Sequence, residues 1–179
     1  MGDNQRWRIE ERIAHELGLA SMMLLLALLQ VALPPQPIDL VPNILLLLVV
    51  CRALLQSSAN AARWAFYSGI GLDLCSGTTL GVHAIALIIA VLTSRIALIR
   101  MNRTSWITPL AGVPLGMIAY YSTMAILISL LVAPIDLVRY SVSAVLPELL
   151  ATLIPALPFF LGMRWLIERQ RGGVAIDIY

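Results

Sequence analysis

Pro42-Asn43-Ile44-Leu45-Leu46-Leu47-Leu48-Val49-Val50-Cys51-Arg52 reads as a proline–asparagine entry, an unbroken apolar run and an arginine stop. The run does not alternate between apolar and polar positions, so it does not fit a lipid-facing barrel strand. It predicts a helix that is apolar all round, the kind buried in a bundle or a membrane. Composition decides between those settings. The chain has 179 residues, 60% of them hydrophobic and 12% charged, against roughly 45–50% and about 25% in soluble domains. Its mean hydropathy is +0.89. So few charges cannot cover the apolar surface of a water-soluble domain this small. The expected fold class is an all-α integral membrane protein.

Five more apolar stretches flank that run. The first extends from Leu17 to Leu33 and stops at Pro34-Pro35-Gln36-Pro37, and the second begins at Ile38 or Pro42 and ends at Leu55. The third covers Ala61 to Leu74, the fourth Leu80 to Ile99, the fifth Ile107 to Val132 and the sixth Ser141 to Ile167. A helical span needs about 20 apolar residues. Several of these are shorter, which predicts a tilted or locally thin bundle whose breaks are shielded by neighbours. The expected organisation is a cytoplasmic or interfacial segment over 1–16, a six-span domain over 17–167 and a cytoplasmic tail over 168–179.

Arginine placement gives the orientation. With the N-terminus inside, Arg6, Arg8, Arg12, Arg52, Arg63, Arg95, Arg100, Arg103, Arg164, Arg169 and Arg171 fall on cytoplasmic segments, and Arg139 alone falls outside. Trp7, Trp64, Trp106 and Trp165 lie near the same boundary, as an interfacial belt would place them. The expected location is the bacterial inner membrane, multi-pass, with both termini cytoplasmic. A cleaved leader fits poorly, because Asp3, Glu10, Glu11 and Glu16 dilute the basic region and more membrane follows. Cys51 and Cys75 fall toward opposite faces, so no disulfide is expected between them. A net charge of +2 with scattered arginines predicts no nucleic-acid partner.

Residues 61–83 hold the most specific pattern. Ala61, Ala65 and Gly69 share one helix face at a spacing of four, a small-residue stripe that lets helices approach closely. Asp73 continues that face. An ionisable group within a span costs about 2.5–3.5 kcal/mol at mid-membrane and less near the ends, so Asp73 should face protein or water with a partner. His83, just beyond the turn, is the nearest one. Three roles remain open at this point: capping the turn or the next helix through backbone N–H groups near Gly77, forming a ligand or partner site, and handling protons or ions.

Pro42-Asn43 with its leucine run, Gly71-Leu72-Asp73-Leu74 and Ser76-Gly77-Thr78-Thr79-Leu80-Gly81-Val82-His83-Ala84 together resemble the rod shape-determining MreD family. The motif residues are Pro42, Asn43, Gly71, Asp73, Ser76, Gly77, Gly81 and His83. Thr78 stands where the family often has proline. The resemblance implies a non-enzymatic subunit of the bacterial elongation machinery, bound to an MreC-like single-span partner. Through that partner it would be linked to MreB filaments, a RodA-type polymerase and a penicillin-binding transpeptidase. It also implies a fold similar to the substrate-binding subunits of energy-coupling-factor transporters.

Two further segments suggest docking surfaces. Gly112-Val113-Pro114-Leu115-Gly116 is a small-xxx-small pattern suited to a partner helix, a homodimer or an internal crossing. The sixth span carries Glu148 beside Pro147, then Pro155 and Pro158, which should bend or break the helix. Gly112, Gly116, Pro155 and Pro158 are thus the candidate partner-docking residues, and Glu148 can pair with Arg139. The alternative function is a small-solute, vitamin-like binding subunit of a transporter, with Asp73, His83 and Glu148 around a pocket. No catalytic, cofactor or metal site is expected: there is no His-Glu-x-x-His helix and no Gly-x-Ser-x-Gly elbow. Gly69-Ile70-Gly71-Leu72-Asp73 is one residue out of register for an intramembrane aspartyl protease, and Asp39 and Asp136 fall in outer loops.

Overall fold

A computed structural model describes residues 3–32, 42–55, 58–98, 107–131, 140 and 145–171. Among these residues there are six helices and no strand: α1 Asp3–Ala32, α2 Ile44–Leu55, α3 Ser58–Ser76, α4 Val82–Ala97, α5 Ile107–Leu131 and α6 Leu146–Arg171. Three segments are long and apolar enough to cross a bilayer: Ile13–Ala32 in α1, Thr108–Leu131 in α5 and Leu146–Ile167 in α6. Helices α2 and α4 are apolar but shorter. This is an all-helical membrane protein.

The leucine run forms the hub. Leu45, Leu46, Leu47, Val49, Val50, Cys51, Ala53 and Leu54 are all buried, and α2 touches each of the other five helices. At 1.5 Å per residue its 12 residues span about 18 Å, well short of a ~30 Å hydrocarbon core. A helix that short is tolerated in a membrane protein because the other five helices pack around it.

Neighbours run antiparallel. The C-terminal ends of α1 and α3 meet the N-terminal ends of α2 and α4, where Gln30 bonds Asn43 and Asp73 bonds His83. At the opposite end Arg52 of α2 stacks on Trp64 of α3, and Arg63 pairs with Glu16 of α1. Arg95 there donates to the Ala53 carbonyl. One end of the bundle is therefore rich in arginine and the other carries the motif residues. The side chains of Arg6, Trp7, Arg8 and Arg12, together with Arg100, Arg103, Trp106, Arg139, Asp39, Asp136 and the tail 172–179, lie outside the described residues. Cys51 and Cys75 are both free thiols.

Two expectations change. Gly112 and Gly116 do not line an outer surface. A Cβ on Gly112 would sit 2.8 Å from Leu54 Cδ1 and 3.0 Å from Leu98 Cδ1, and one on Gly116 would sit 2.7 Å from Ser94 Oγ. The pattern serves the internal crossing of α5 with α2 and α4, where the Ser94 hydroxyl also donates to the Gly112 carbonyl at 2.9 Å. Pro155 and Pro158 do not break α6, which runs unbroken from Leu146 to Arg171. Proline's φ is compatible with a helix, and each ring removes only one backbone hydrogen bond. Pro158 lies on the outward face and Pro155 is half-buried.

Candidate functional site

Asp73 sits in the last turn of α3 with its side chain fully buried, at 0% exposure. Four donors converge on its carboxyl. Oδ2 accepts the Gly81 N–H at 2.7 Å. Oδ1 accepts the His83 N–H at 3.0 Å, the Thr78 hydroxyl at 3.2 Å and His83 Nδ1 at 2.8 Å. A carboxylate can only accept, so Nδ1 carries the imidazole proton. Asp73 thereby caps α4 across the turn and orients His83 in one arrangement.

The turn makes this reach possible. Gly77 at φ 67° and Gly81 at φ 99° are in the left-handed region that other residues rarely adopt. Gly81 is the N-cap of α4 and has no side chain with which to cap it, so its own N–H and that of His83 are satisfied from α3, while the Val82 N–H donates to the Thr79 carbonyl. The Ser76 hydroxyl donates to the Leu72 carbonyl at 2.6 Å, closing the end of α3. Thr78 supplies a hydroxyl that a proline there would lack, lying 3.2 Å from His83 Nδ1 and 3.1 Å from Ser76 Oγ.

The other family motif builds a second junction. The Asn43 side chain accepts the Leu46 N–H at 3.0 Å and so caps α2. Its oxygen also accepts from Gln30 of α1 at 3.2 Å, and the Gln30 oxygen accepts the Leu45 N–H at 3.0 Å. The Asn43 N–H donates to Thr152 of α6 at 2.9 Å, and Thr152 passes its own proton to the Glu148 carbonyl at 2.7 Å. The side chains of Tyr120 and Glu148 lie close to Asn43.

Tyr120 joins the two junctions. It is buried in α5, close to Asn43, with its ring centroid 6.2 Å from that of His83. Tyr121 packs edge-on at 5.0 Å and carries the contact to Tyr140 at 6.1 Å. The motifs, far apart in sequence, thus share one buried polar layer at one end of the bundle. Gly71 stands apart from it and faces α1, where an added Cβ would lie 3.1 Å from Ala27 Cβ. Pro42 is half-buried at the entry to α2.

Sequence reading did not find Gln30, Tyr120 or Thr152. The signal available was a polar side chain isolated in an apolar stretch, which marks a satisfied internal bond in lipid. Glu148 lies beside Asn43, and its expected pairing with Arg139 falls outside the described residues. The chemistry of the layer is that of a clamp: its carboxyl oxygens and amide are occupied by neighbours that fix helix ends. Among the described residues no group of His, Cys, Asp and Glu could hold a metal ion.

Replacing Asn43 with Ala is expected to cost about 2–4 kcal/mol, combining the lost cap with buried partners left unpaired. Thermal unfolding in detergent, followed by tryptophan fluorescence, measures this. An unchanged midpoint would remove Asn43 from the framework.

Comparison with curated proteins finds no match, and comparison with solved structures finds none either. The family model for the rod shape-determining protein MreD matches residues 11–170, a stretch that contains both motifs and all of the polar layer they build, and the chain belongs to the MreD family.

Proposed function

We propose that this chain is a non-enzymatic scaffold of the cell-wall elongation complex, crossing the inner membrane six times with both termini in the cytoplasm. Membership of the MreD family implies a role in rod shape determination. The finer reading is that the bundle holds an MreC-like bitopic partner and through it influences peptidoglycan synthesis by the polymerase and transpeptidase. The observation that carries this reading is that the motif's polar groups bond each other inside the chain. A substrate or solute site needs polar groups left free to converge on a ligand. The likeness to transporter substrate-binding subunits is taken as a shared six-span frame rather than shared ligand binding. Arg52, Arg63, Arg95, Arg164 and Arg169, gathered toward one end, support the cytoplasmic assignment of that end.

The outward stripe of α6 is the surface assigned to the partner: Leu150, Ile154, Pro158, Leu161 and Trp165 are exposed along it. Pro155 flanks the stripe. Gly162 lies in the stripe with open space where a Cβ would be. In lipid, helix association rests on close packing rather than hydrophobic burial, so small and rigid residues favour contact.

The test is co-expression with the organism's MreC-like protein, detergent co-purification and mass determination. A complex of defined stoichiometry is expected. Gly162→Phe fits the free chain and should leave its melt unchanged while lowering recovery of the complex at least several-fold. Absence of a complex in detergents and in nanodiscs would overturn the scaffold reading. A stoichiometric vitamin-sized adduct in native mass spectrometry would favour the small-solute alternative.

A further inference from the structure

The arginines of the described bundle are not equally provided for. Arg63 is paired with Glu16 and also bonds Asn60. Arg95 donates to the Ala53 carbonyl. Arg52, in the last turn of α2, has neither a carboxylate nor a hydrogen-bonded carbonyl among the described residues. Its Nε is buried and unpartnered, and its guanidinium lies over the Trp64 ring with Cζ 3.8 Å from the centroid.

That arrangement fixes the cation without neutralising it. Contact with Trp64 restricts the guanidinium, and with Nε buried the four N–H groups of its two terminal nitrogens are left for an acceptor. An unpaired charge in a half-buried setting and an unmet buried donor are both costly. The planar fork is matched by an oxyanion that can accept two parallel hydrogen bonds. Arg95 at the neighbouring end of α4 adds positive potential. The C-terminal end of α2, held among tryptophan and arginine at the edge of an apolar bundle, lies at headgroup depth if α2 is membrane-embedded. There the abundant oxyanion is a lipid phosphate.

We propose that Arg52, oriented by Trp64, binds the phosphate of an anionic phospholipid at the arginine-rich end of the bundle. The inference rests on the membrane setting and is independent of the MreC-like partner, so either can fail alone.

The test uses the full chain in detergent, with phosphatidylglycerol and phosphatidylcholine of matched acyl chains offered together and retained lipid read by native mass spectrometry. The wild type should prefer phosphatidylglycerol about five-fold, the scale of one basic side chain at a charged membrane surface. Arg52→Gln should abolish that preference, whereas Arg63→Gln should keep it, because Arg63 already has Glu16. Arg52→Lys keeps the charge but loses the flat fork and should fall between. Equal retention of the two lipids by the wild type would overturn the proposal without reference to any variant. Undiminished preference in a folded Arg52→Gln would do the same. Inorganic phosphate is offered separately. Stabilisation of the melt by phosphate alone, lost in Arg52→Gln and with no lipid preference, would assign the site to a free oxyanion and overturn the lipid assignment.

Discussion

Asp73→Ala should be among the most damaging single substitutions in the chain, destabilising it by about 3–5 kcal/mol, the range for removing one partner of a buried hydrogen-bonded pair. The loss does not stop at one contact. Without the carboxyl, the N–H groups of Gly81 and His83, the Thr78 hydroxyl and His83 Nδ1 all lose their acceptor. The two N–H groups open α4 and have no other partner within their own helix. The hydroxyl and imidazole can turn toward each other, since they already lie 3.2 Å apart, and recover a little. Asp73→Asn is the informative companion. It keeps one accepting oxygen but turns an NH2 toward donors, so its melt should fall between those of the wild type and Asp73→Ala. A melt of Asp73→Ala within about 1 kcal/mol of the wild type would mean that the layer does not hold the hairpin together.

Much of this was legible because lipid imposes simple rules. Every backbone group must be satisfied within a helix, so apolar runs read directly as helices. The runs at Ala61–Leu74, Leu80–Ile99 and Ile107–Val132 correspond to α3, α4 and α5 within a few residues. The Asp73–His83 pair was legible for the same reason that it exists. Helix periodicity puts Asp73 on the small-residue face, and a short turn returns the chain beside it. Both the capping role and the histidine partner follow from one side chain, and the sequence alone had to leave them as alternatives.

What the sequence withheld was the identity of neighbours. A glycine pair says that something approaches closely and not what approaches. Gly112 and Gly116 therefore suited an internal crossing as well as a partner helix, and nothing in the pattern named α2 and α4. The link from Asn43 to Thr152 crosses most of the chain and leaves no local periodicity. The prolines of α6 carried the opposite error. A break did not follow, because a helix in a bundle can lose the N–H groups of two residues and remain continuous.

Gly69→Ala tests how much of the fold depends on one close approach, and its expected effect is about 3 kcal/mol or more for the addition of a single methyl. A Cβ at this position would lie 2.2 Å from Ala84 Cα, 2.4 Å from Ala84 N and 2.8 Å from the His83 carbonyl carbon. These are backbone atoms of the first turn of α4, and no rotamer moves them aside. Restoring an ordinary separation of about 3.5–4.0 Å requires α3 and α4 to part by more than an ångström. Asp73 lies one turn further along the same face, so that shift also stretches its 2.7 Å bond to Gly81 and its 2.8 Å bond to His83. Steric and polar losses then add at one hairpin. Gly116→Ala is the internal comparison. Its Cβ meets Ser94 Oγ at 2.7 Å and Val50 Cγ2 at 2.9 Å, side-chain atoms that can rotate away, and the cost should be smaller. Gly162→Ala meets nothing and should be neutral or slightly stabilising through helix propensity. Melts in that order would show that close backbone approach, rather than glycine itself, organises the bundle. A Gly69→Ala protein as stable as Gly162→Ala would mean that α3 and α4 are free to separate, and the polar layer would then be held by α2, α5 and α6 alone.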